Sequence, residues 1–207
     1  MNTSTPRRGF FQRASVLVVG AAVDPLGIGS AAIKPVDEPW LANLNGKHKQ
    51  IFDTAAMKDG RPFARVMNFM DAYVEAYELK DADINAIVGV HGAGLPLALN
   101  DSIWAKYEFG RRYEENDPSS GGPARRNPYA TGLPFSVATL RQRGVRFIAC
   151  QRSIRRLSGE LAVGGGSAEP IRQELLANLL PGVHAVPALI VAVNRAQEAG
   201  LTYAFLG

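Results

Sequence analysis

The single cysteine is the strongest candidate for a reactive side chain. Cys150 ends the apolar run 145–150, and a segment of helical character, 151–156, follows it. A thiol at this junction lies beside the free N–H groups and the positive dipole end of a helix, which stabilise the nucleophilic thiolate form. Free cysteines are also often small apolar core residues. Position alone leaves both interpretations of Cys150 open.

Polar and cationic side chains follow Cys150 directly. Gln151, Arg152 and Arg155 are the candidate anion-binding residues, because they lie on the first turns of the helix that begins at the thiol. The ordinary alternative is a solvated basic surface. The chain shows no aromatic residues interleaved with these charges and no known nucleic-acid motif, so no nucleic-acid partner is predicted.

A histidine ends a second apolar run. His91 follows residues 84–90, INAIVGV, and the carboxyl ends of parallel strands share one edge of a sheet. His91 is therefore a candidate to hydrogen-bond to Cys150 or to deprotonate it; a histidine that merely caps a strand end is the alternative. No metal or other cofactor is predicted, because no two of the available ligands lie at short metal-binding spacing: His48, His91, Cys150 and His184.

The glycines after His91 do not form a dinucleotide-binding motif. Gly92 and Gly94 resemble the start of the G-x-G-x-x-G fingerprint, but Leu97 stands where the third glycine belongs, and the motif follows the second predicted strand instead of the first. A nucleophile elbow of the G-x-S-x-G type is also absent from the sequence.

Alternating strands and helices are predicted to position these residues. The predicted strands are 47–53, 84–90, 145–150, 184–187 and 201–206, and the predicted helices are 63–79, 101–113, 135–143, 151–156, 169–180 and 188–199. Segment 116–127 is predicted to be a loop. This alternation favours a single α/β domain with a mainly parallel five-stranded sheet and helices on both faces, a Rossmann-like three-layer fold.

Composition agrees with one domain that folds without cross-links. The chain has 207 residues, of which 46% are hydrophobic and 20% are charged, and a chain of this length buries enough surface for a stable core. One cysteine excludes an internal disulfide and a zinc site made of cysteines alone.

The first 32 residues are typical of an export signal. The pair Arg7-Arg8 with Phe10 precedes the apolar stretch 14–23 and the small residues Ser30-Ala31-Ala32, and this order predicts a twin-arginine signal peptide, 1–32, and a periplasmic protein from residue 33 onward. The apolar stretch is too short for a membrane span, so no stable membrane anchor is predicted. The alternative is a basic tail with no export role.

Several segments resemble the DsrE/DsrF-like family. They are HGAGLPLALND (91–101), GVRFIACQRSIRR (144–156), LLPGVHAVPA (179–188) and AGLTYAFL (199–206), and the resemblance runs from about residue 47 to the C-terminus. It implies a small α/β fold of the DsrEFH type, sulfur handling, and assembly into trimers or larger homo-oligomers. In the family's sulfur-relay members a cysteine at this strand end carries sulfur as a persulfide, and Cys150 corresponds to it by position. Those members usually work in the cytoplasm with partner subunits, whereas an export signal is predicted here.

Two functions from different classes follow. The first is an exported sulfur-transfer or sulfur-binding protein in which Cys150 carries a persulfide between a sulfane sulfur donor and an acceptor protein, with His91 tuning the thiol. The second is a non-catalytic, homo-oligomeric periplasmic module that binds a small anion or a protein partner and has a structural cysteine. Whether the chain is an enzyme is left open by both.

Overall fold

Five parallel strands form one sheet. The structure, a computed structural model, describes residues 38–162 and 166–207. The strands are β1 (His48–Thr54), β2 (Ile84–Val90), β3 (Arg146–Cys150), β4 (Val183–Val186) and β5 (Thr202–Phe205). Their spatial order is β4-β3-β2-β1-β5, and every neighbouring pair is parallel. The prediction of a five-stranded α/β fold is confirmed, and the predicted signal peptide lies outside the described residues.

Seven α-helices connect and cover the strands. They are α1 (Arg61–Tyr77), α2 (Asp101–Lys106), α3 (Phe109–Arg112), α4 (Val137–Gln142), α5 (Gln151–Leu161), α6 (Ala168–Ala177) and α7 (Leu189–Glu198) among the described residues. Short 3-10 helices occupy Pro39–Leu41, Lys58–Gly60, Asp81–Asp83 and Gly92–Ala98. Most boundaries lie within a few residues of the predicted ones, and β2 begins and ends where the sequence predicted.

The helix predicted over 101–113 is in fact two helices. The chain breaks between α2 and α3 at Glu108, whose φ is 48°. Trp104 and Phe109 are both fully buried and pack edge to face with ring centroids 6.0 Å apart. Five residues of a continuous α-helix would place these side chains about 140° apart around its axis. The break lets both rings enter the same core.

The helices form layers on both faces of the sheet. Helices α1 to α6 contribute buried side chains to the core on one face, together with Phe52, Val88 and Phe147 of the strands. Helix α7 and Trp40 pack on the other face, against Ile51, Ile87 and Ile148. Strands covered on both sides explain the nearly continuous apolar runs in the sequence. Side chains alternate along a strand, so Asp53, His91 and Cys150 belong to the face that carries α7.

Candidate functional site

Cys150 lies at the junction of one strand and two helices. It is the last residue of β3 and the N-cap residue of α5, with φ −75° and ψ 114°. Its Sγ accepts a hydrogen bond from the backbone N–H of Leu189, the first residue of α7, at 3.4 Å. The sulfur therefore lies beside the N-terminal ends of two helices, and both helix dipoles favour an anion at this point. The side chain is only 6% exposed.

A glycine on the neighbouring strand allows α7 to approach the thiol. A Cβ atom added to Gly89 of β2 would lie 2.3 Å from Leu189 Cδ1, so the leucine side chain occupies the space that any other residue at position 89 would fill. This close packing brings the first N–H of α7 over the end of β3. Neither Gly89 nor Leu189 is among the site residues predicted from the sequence, although a lone glycine inside a strand is a recognised sign of close approach.

His91 is held next to a carboxylate that the sequence analysis missed. Its Nε2 lies 2.8 Å from Oδ1 of Asp53, at the end of β1. Both atoms are buried, and neither has a hydrogen-bond partner in the described part of the chain, because the ring N–H is not aligned with the oxygen. The signal for Asp53 was present: it follows the apolar pair Ile51-Phe52, as His91 and Cys150 follow their own apolar strands.

Tyr203 joins this pair from the edge strand β5. Its hydroxyl donates a hydrogen bond to Oδ2 of Asp53 at 3.0 Å. Burial, with a smaller effect of the Asp53 carboxylate, raises the pKa of Tyr203, so the phenol remains a hydrogen-bond donor at neutral pH. The side chains of Tyr203, Asp53 and His91 thus form a continuous polar row across three strands.

His91 and Cys150 end neighbouring strands side by side. The β2 and β3 register pairs Val90 with Ala149, so the next residues on the two strands are His91 and Cys150. Within the described residues no hydrogen bond joins their side chains: the imidazole contacts Asp53, and the sulfur accepts the N–H of Leu189. A direct His91–Cys150 contact stays a prediction.

The glycine-rich turn after His91 packs against the end of β1. Gly94 donates a hydrogen bond to the carbonyl of Ala55 at 2.9 Å, and a Cβ on Gly94 would lie 2.8 Å from the carbonyl oxygen of Thr54. Gly92 has φ +56°, and its N–H donates to Ser153 Oγ in the first turn of α5 at 3.0 Å. These glycines therefore join strand ends to each other and to α5.

An open cleft lies between the first turns of α5 and α7, and its lining includes Gln151, the residue that follows Cys150 in the chain. Its lining residues are Gln151, Arg152, Arg155, Pro187, Ala188, Ile190 and Val191. Arg152 and Arg155 are exposed, and among the described residues no carboxylate lies within ion-pair distance of either guanidinium. The opposite wall is apolar, because Ile190 is 77% exposed and Val191 is 50% exposed. The three predicted anion-binding residues thus line one cleft, which begins at Gln151 next to the buried Cys150.

The remaining histidines lie away from the thiol. His48 begins β1 and stacks on Tyr73 with centroids 4.2 Å apart, and His184 pairs in register with Ile148, two residues before Cys150. Residues 38–162 and 166–207 contain no group of three or more histidine, cysteine or acidic side chains that could hold a metal ion. Over the same ranges no helix has the length and apolar character needed to cross a membrane.

Comparison with known proteins finds likeness among solved structures. No protein-family model matches the chain, and no curated protein matches it. A solved structure titled as a protein of unknown function, MTH1491 from Methanobacterium thermoautotrophicum, is 18% identical to this chain. The likeness covers 76% of this chain and 98% of that chain, with a TM-score of 0.43.

Proposed function

We propose that the chain is a sulfur carrier of the DsrE/DsrF-like type, in which Cys150 holds a sulfane sulfur atom as a persulfide. The observation that carries the proposal is the position of Sγ, beside the N-cap of α5 and bonded to the first N–H of α7. Both the thiolate and the persulfide are anions, so the same N–H group and dipoles stabilise the nucleophile and its product. The family resemblance of the segments around Cys150 supports the same role.

The proposed reaction transfers neutral sulfur without net oxidation. The Cys150 thiolate attacks the outer sulfur of a donor such as thiosulfate, a new S–S bond forms at Sγ, and the S–S bond of the donor breaks with sulfite as the leaving group. An acceptor thiolate then attacks the outer sulfur of the persulfide, and the Cys150 thiolate leaves. Each step exchanges one sulfur bond for another, as in thiol–disulfide exchange.

The cleft beside Cys150 fits an anionic donor. Arg152 and Arg155 line one wall, and among the described residues neither guanidinium is in an ion pair with a carboxylate. Guanidinium groups bind oxyanions through paired N–H donors. Gln151 adds an amide donor at the same wall. The proposed anion-binding residues are therefore Gln151, Arg152 and Arg155, and the proposed thiol-tuning residue is His91.

We also propose where the reaction takes place and which partners take part in it. The leader sequence, 1–32, supports export by the twin-arginine route to the periplasm. A donor or acceptor protein and a second copy of the chain are the proposed partners, because exposed apolar residues Ile190 and Val191 border the cleft. A trimeric or hexameric assembly is what the family resemblance implies.

The experiment measures sulfur loading of the full chain as a function of thiosulfate concentration. Loading of the wild type is expected to saturate, and Arg152→Ala/Arg155→Ala should need about tenfold more thiosulfate, equivalent to about 1.4 kcal/mol. Arg125→Ala removes an exposed arginine elsewhere and should leave the curve unchanged. Equal curves for all three proteins would contradict a role for the cleft in donor binding.

A second candidate function is a non-catalytic oligomeric module with a structural cysteine. The observation that favours it is the burial of Cys150, which packs with Ile148, Val186 and Leu189 in the core beneath α7. Alkylation separates the two functions. A thiol that resists iodoacetamide in the native protein, yet reacts once the protein is unfolded, would support the structural role.

A further inference from the structure

We propose that Asp53 is a positioning residue that acts through His91 at the Cys150 site. This inference rests on the sulfur-carrier function proposed above. The carboxyl ends of β5, β1, β2 and β3 are adjacent in the sheet. On the face that carries α7, Asp53, His91 and Cys150 lie at the ends of β1, β2 and β3, and Tyr203, the second residue of β5, reaches Asp53 with its hydroxyl. The row leads from an exposed phenol at the edge strand to the thiol.

The burial of the Asp53–His91 contact is the first argument. Oδ1 and Nε2 are both inaccessible to solvent, lie 2.8 Å apart, and have no other polar partner among the described residues. Buried nitrogen and oxygen atoms are rarely left without a hydrogen bond, because an unmade bond costs about 1 to 3 kcal/mol. A rotation of the imidazole that aligns its N–H with Oδ1 satisfies both atoms.

The hydrogen bond from Tyr203 determines which oxygen of the Asp53 carboxylate faces His91. The tyrosine hydroxyl donates to Oδ2 at 3.0 Å, so this hydrogen bond fixes the plane of the carboxylate and leaves Oδ1 directed toward β2. The arrangement does not require Tyr203 to touch a substrate. Tyr203 supports Asp53, and Asp53 in turn orients the histidine ring.

The tautomer of His91 is the chemical consequence. A carboxylate at Nε2 keeps the proton on that nitrogen in the neutral ring, and the lone pair is then on Nδ1. Since His91 and Cys150 follow the last paired residues of β2 and β3, Nδ1 is the nitrogen free to receive the thiol proton. In that step the S–H bond breaks, an N–H bond forms at Nδ1, and the resulting imidazolium faces the Asp53 carboxylate.

A double-mutant cycle tests the link between the two residues. Asp53→Asn is expected to slow persulfide formation about tenfold, and His91→Gln is expected to slow it at least as much. Because Asp53 acts through His91, the double variant should be no slower than His91→Gln. Tyr203→Phe should cause a smaller loss, about twofold to fivefold, since the carboxylate remains. Asp83→Asn, which alters a carboxylate paired with Lys47 before β2 begins, is the matched control.

A second measurement tests the role of Asp53 independently of the proposed sulfur-carrier function. The ¹⁵N shifts of the imidazole ring report which nitrogen carries the proton, whether or not Cys150 accepts sulfur. The wild type is expected to show His91 protonated at Nε2, and Asp53→Asn should lose this preference. If no persulfide forms on the wild type, the sulfur-carrier function fails while the ring spectrum still decides the role of Asp53. Additive losses in the cycle, or an unchanged tautomer in Asp53→Asn, would overturn the inference.

Discussion

At the scale of single residues, the site depends on polar groups placed where apolar strands end. Cys150 and His91 could be identified from the sequence because each closes a clear apolar run. Asp53 lies in a similar place, one residue before the end of β1, but β1 begins with His48, Lys49 and Gln50, which weakens the apolar pattern. The contact between Asp53 and His91 depends on strand order, and a sequence alone does not specify which strands are neighbours.

The buried carboxylate of Glu115, outside the candidate site, could not be predicted from the sequence either. Glu115 is 6% exposed and lies one residue before segment 116–127, which the sequence predicts to be a loop. It accepts a hydrogen bond from the hydroxyl of Tyr129, and Asp59 is the other acidic group nearby. Burial, more than any other cause, raises the pKa of Glu115 above the ordinary value of a glutamic acid.

This raised pKa predicts a pH-dependent loss of stability. Below the ordinary glutamate pKa, Glu115 is protonated in both the folded and the unfolded state. As the pH rises from that value through the folded-state pKa, the unfolded state ionises first, so the free energy of unfolding falls. Glu115→Gln removes this effect. In urea unfolding, the stability of Glu115→Gln relative to the wild type should therefore increase from acid to neutral pH.

The exposed Glu75 of α1 provides the control for this prediction. Glu75→Gln should show no comparable change of relative stability with pH. A difference between Glu115→Gln and the wild type that is constant over the same pH range would contradict the assigned cause.

At the scale of elements, the way helices begin and end decides the geometry of the site. Amphipathic spacing was sufficient to predict α1, and the apolar run was sufficient to predict β2. The break between α2 and α3 was not predictable, because it results from the packing of Trp104 and Phe109 in one core. The buried side chain of Asn127 holds the segment after α3 in place, because its amide donates a hydrogen bond to the carbonyl of Leu99 at 2.8 Å.

The close packing of α7 against Gly89 of β2 leads to a prediction about stability and sulfur loading. Gly89→Ala places a methyl group where Leu189 Cδ1 now lies, so the Leu189 side chain must move, and α7 shifts where that side chain cannot repack. The expected loss in the free energy of unfolding is about 1 to 3 kcal/mol. Sulfur loading of Cys150 should also slow, because the N–H of Leu189 moves away from Sγ. Urea unfolding and the loading assay measure the two effects.

Gly159 offers a matched control in α5, since a Cβ there meets nothing within 4 Å. Gly159→Ala should raise the free energy of unfolding by about 0.5 to 1 kcal/mol, as expected for alanine in place of a helical glycine. Gly89→Ala with wild-type stability and wild-type loading would show that the approach of α7 does not depend on this glycine.

At the scale of the whole molecule, the described residues cover the two faces of the sheet unequally. Six of the described helices pack on one face, whereas α7 and the segment around Trp40 pack on the other. The exposed apolar residues Ile190, Val191, Tyr203 and Phe205 belong to this less covered side. The sequence did not reveal Ile190 and Val191 as exposed, because α7 starts with a run of apolar residues in which inward and outward positions look alike.

Exposed apolar surface of this kind predicts self-association through the face that carries α7. Ile190→Asp should weaken the affinity between the chains at least about tenfold, because it places a charge in an apolar contact. The helix itself should tolerate the change, because an acidic residue in the first turn interacts favourably with the helix dipole. Light scattering across a dilution series measures the change. Tyr77→Lys, in the last turn of α1 at another exposed position, is the control. A wild type that is monomeric at every concentration, or an Ile190→Asp oligomer of unchanged strength, would contradict this prediction.

The most direct test of the central claim is the intact mass of the full chain after incubation with thiosulfate. The wild type is expected to gain the mass of one sulfur atom, to lose it on treatment with a reductant, and to carry it on the peptide that contains Cys150. Cys150→Ser is expected to gain nothing. The absence of a reducible adduct on the wild type, or an equal adduct on Cys150→Ser, would contradict the assignment of Cys150 as a sulfur carrier.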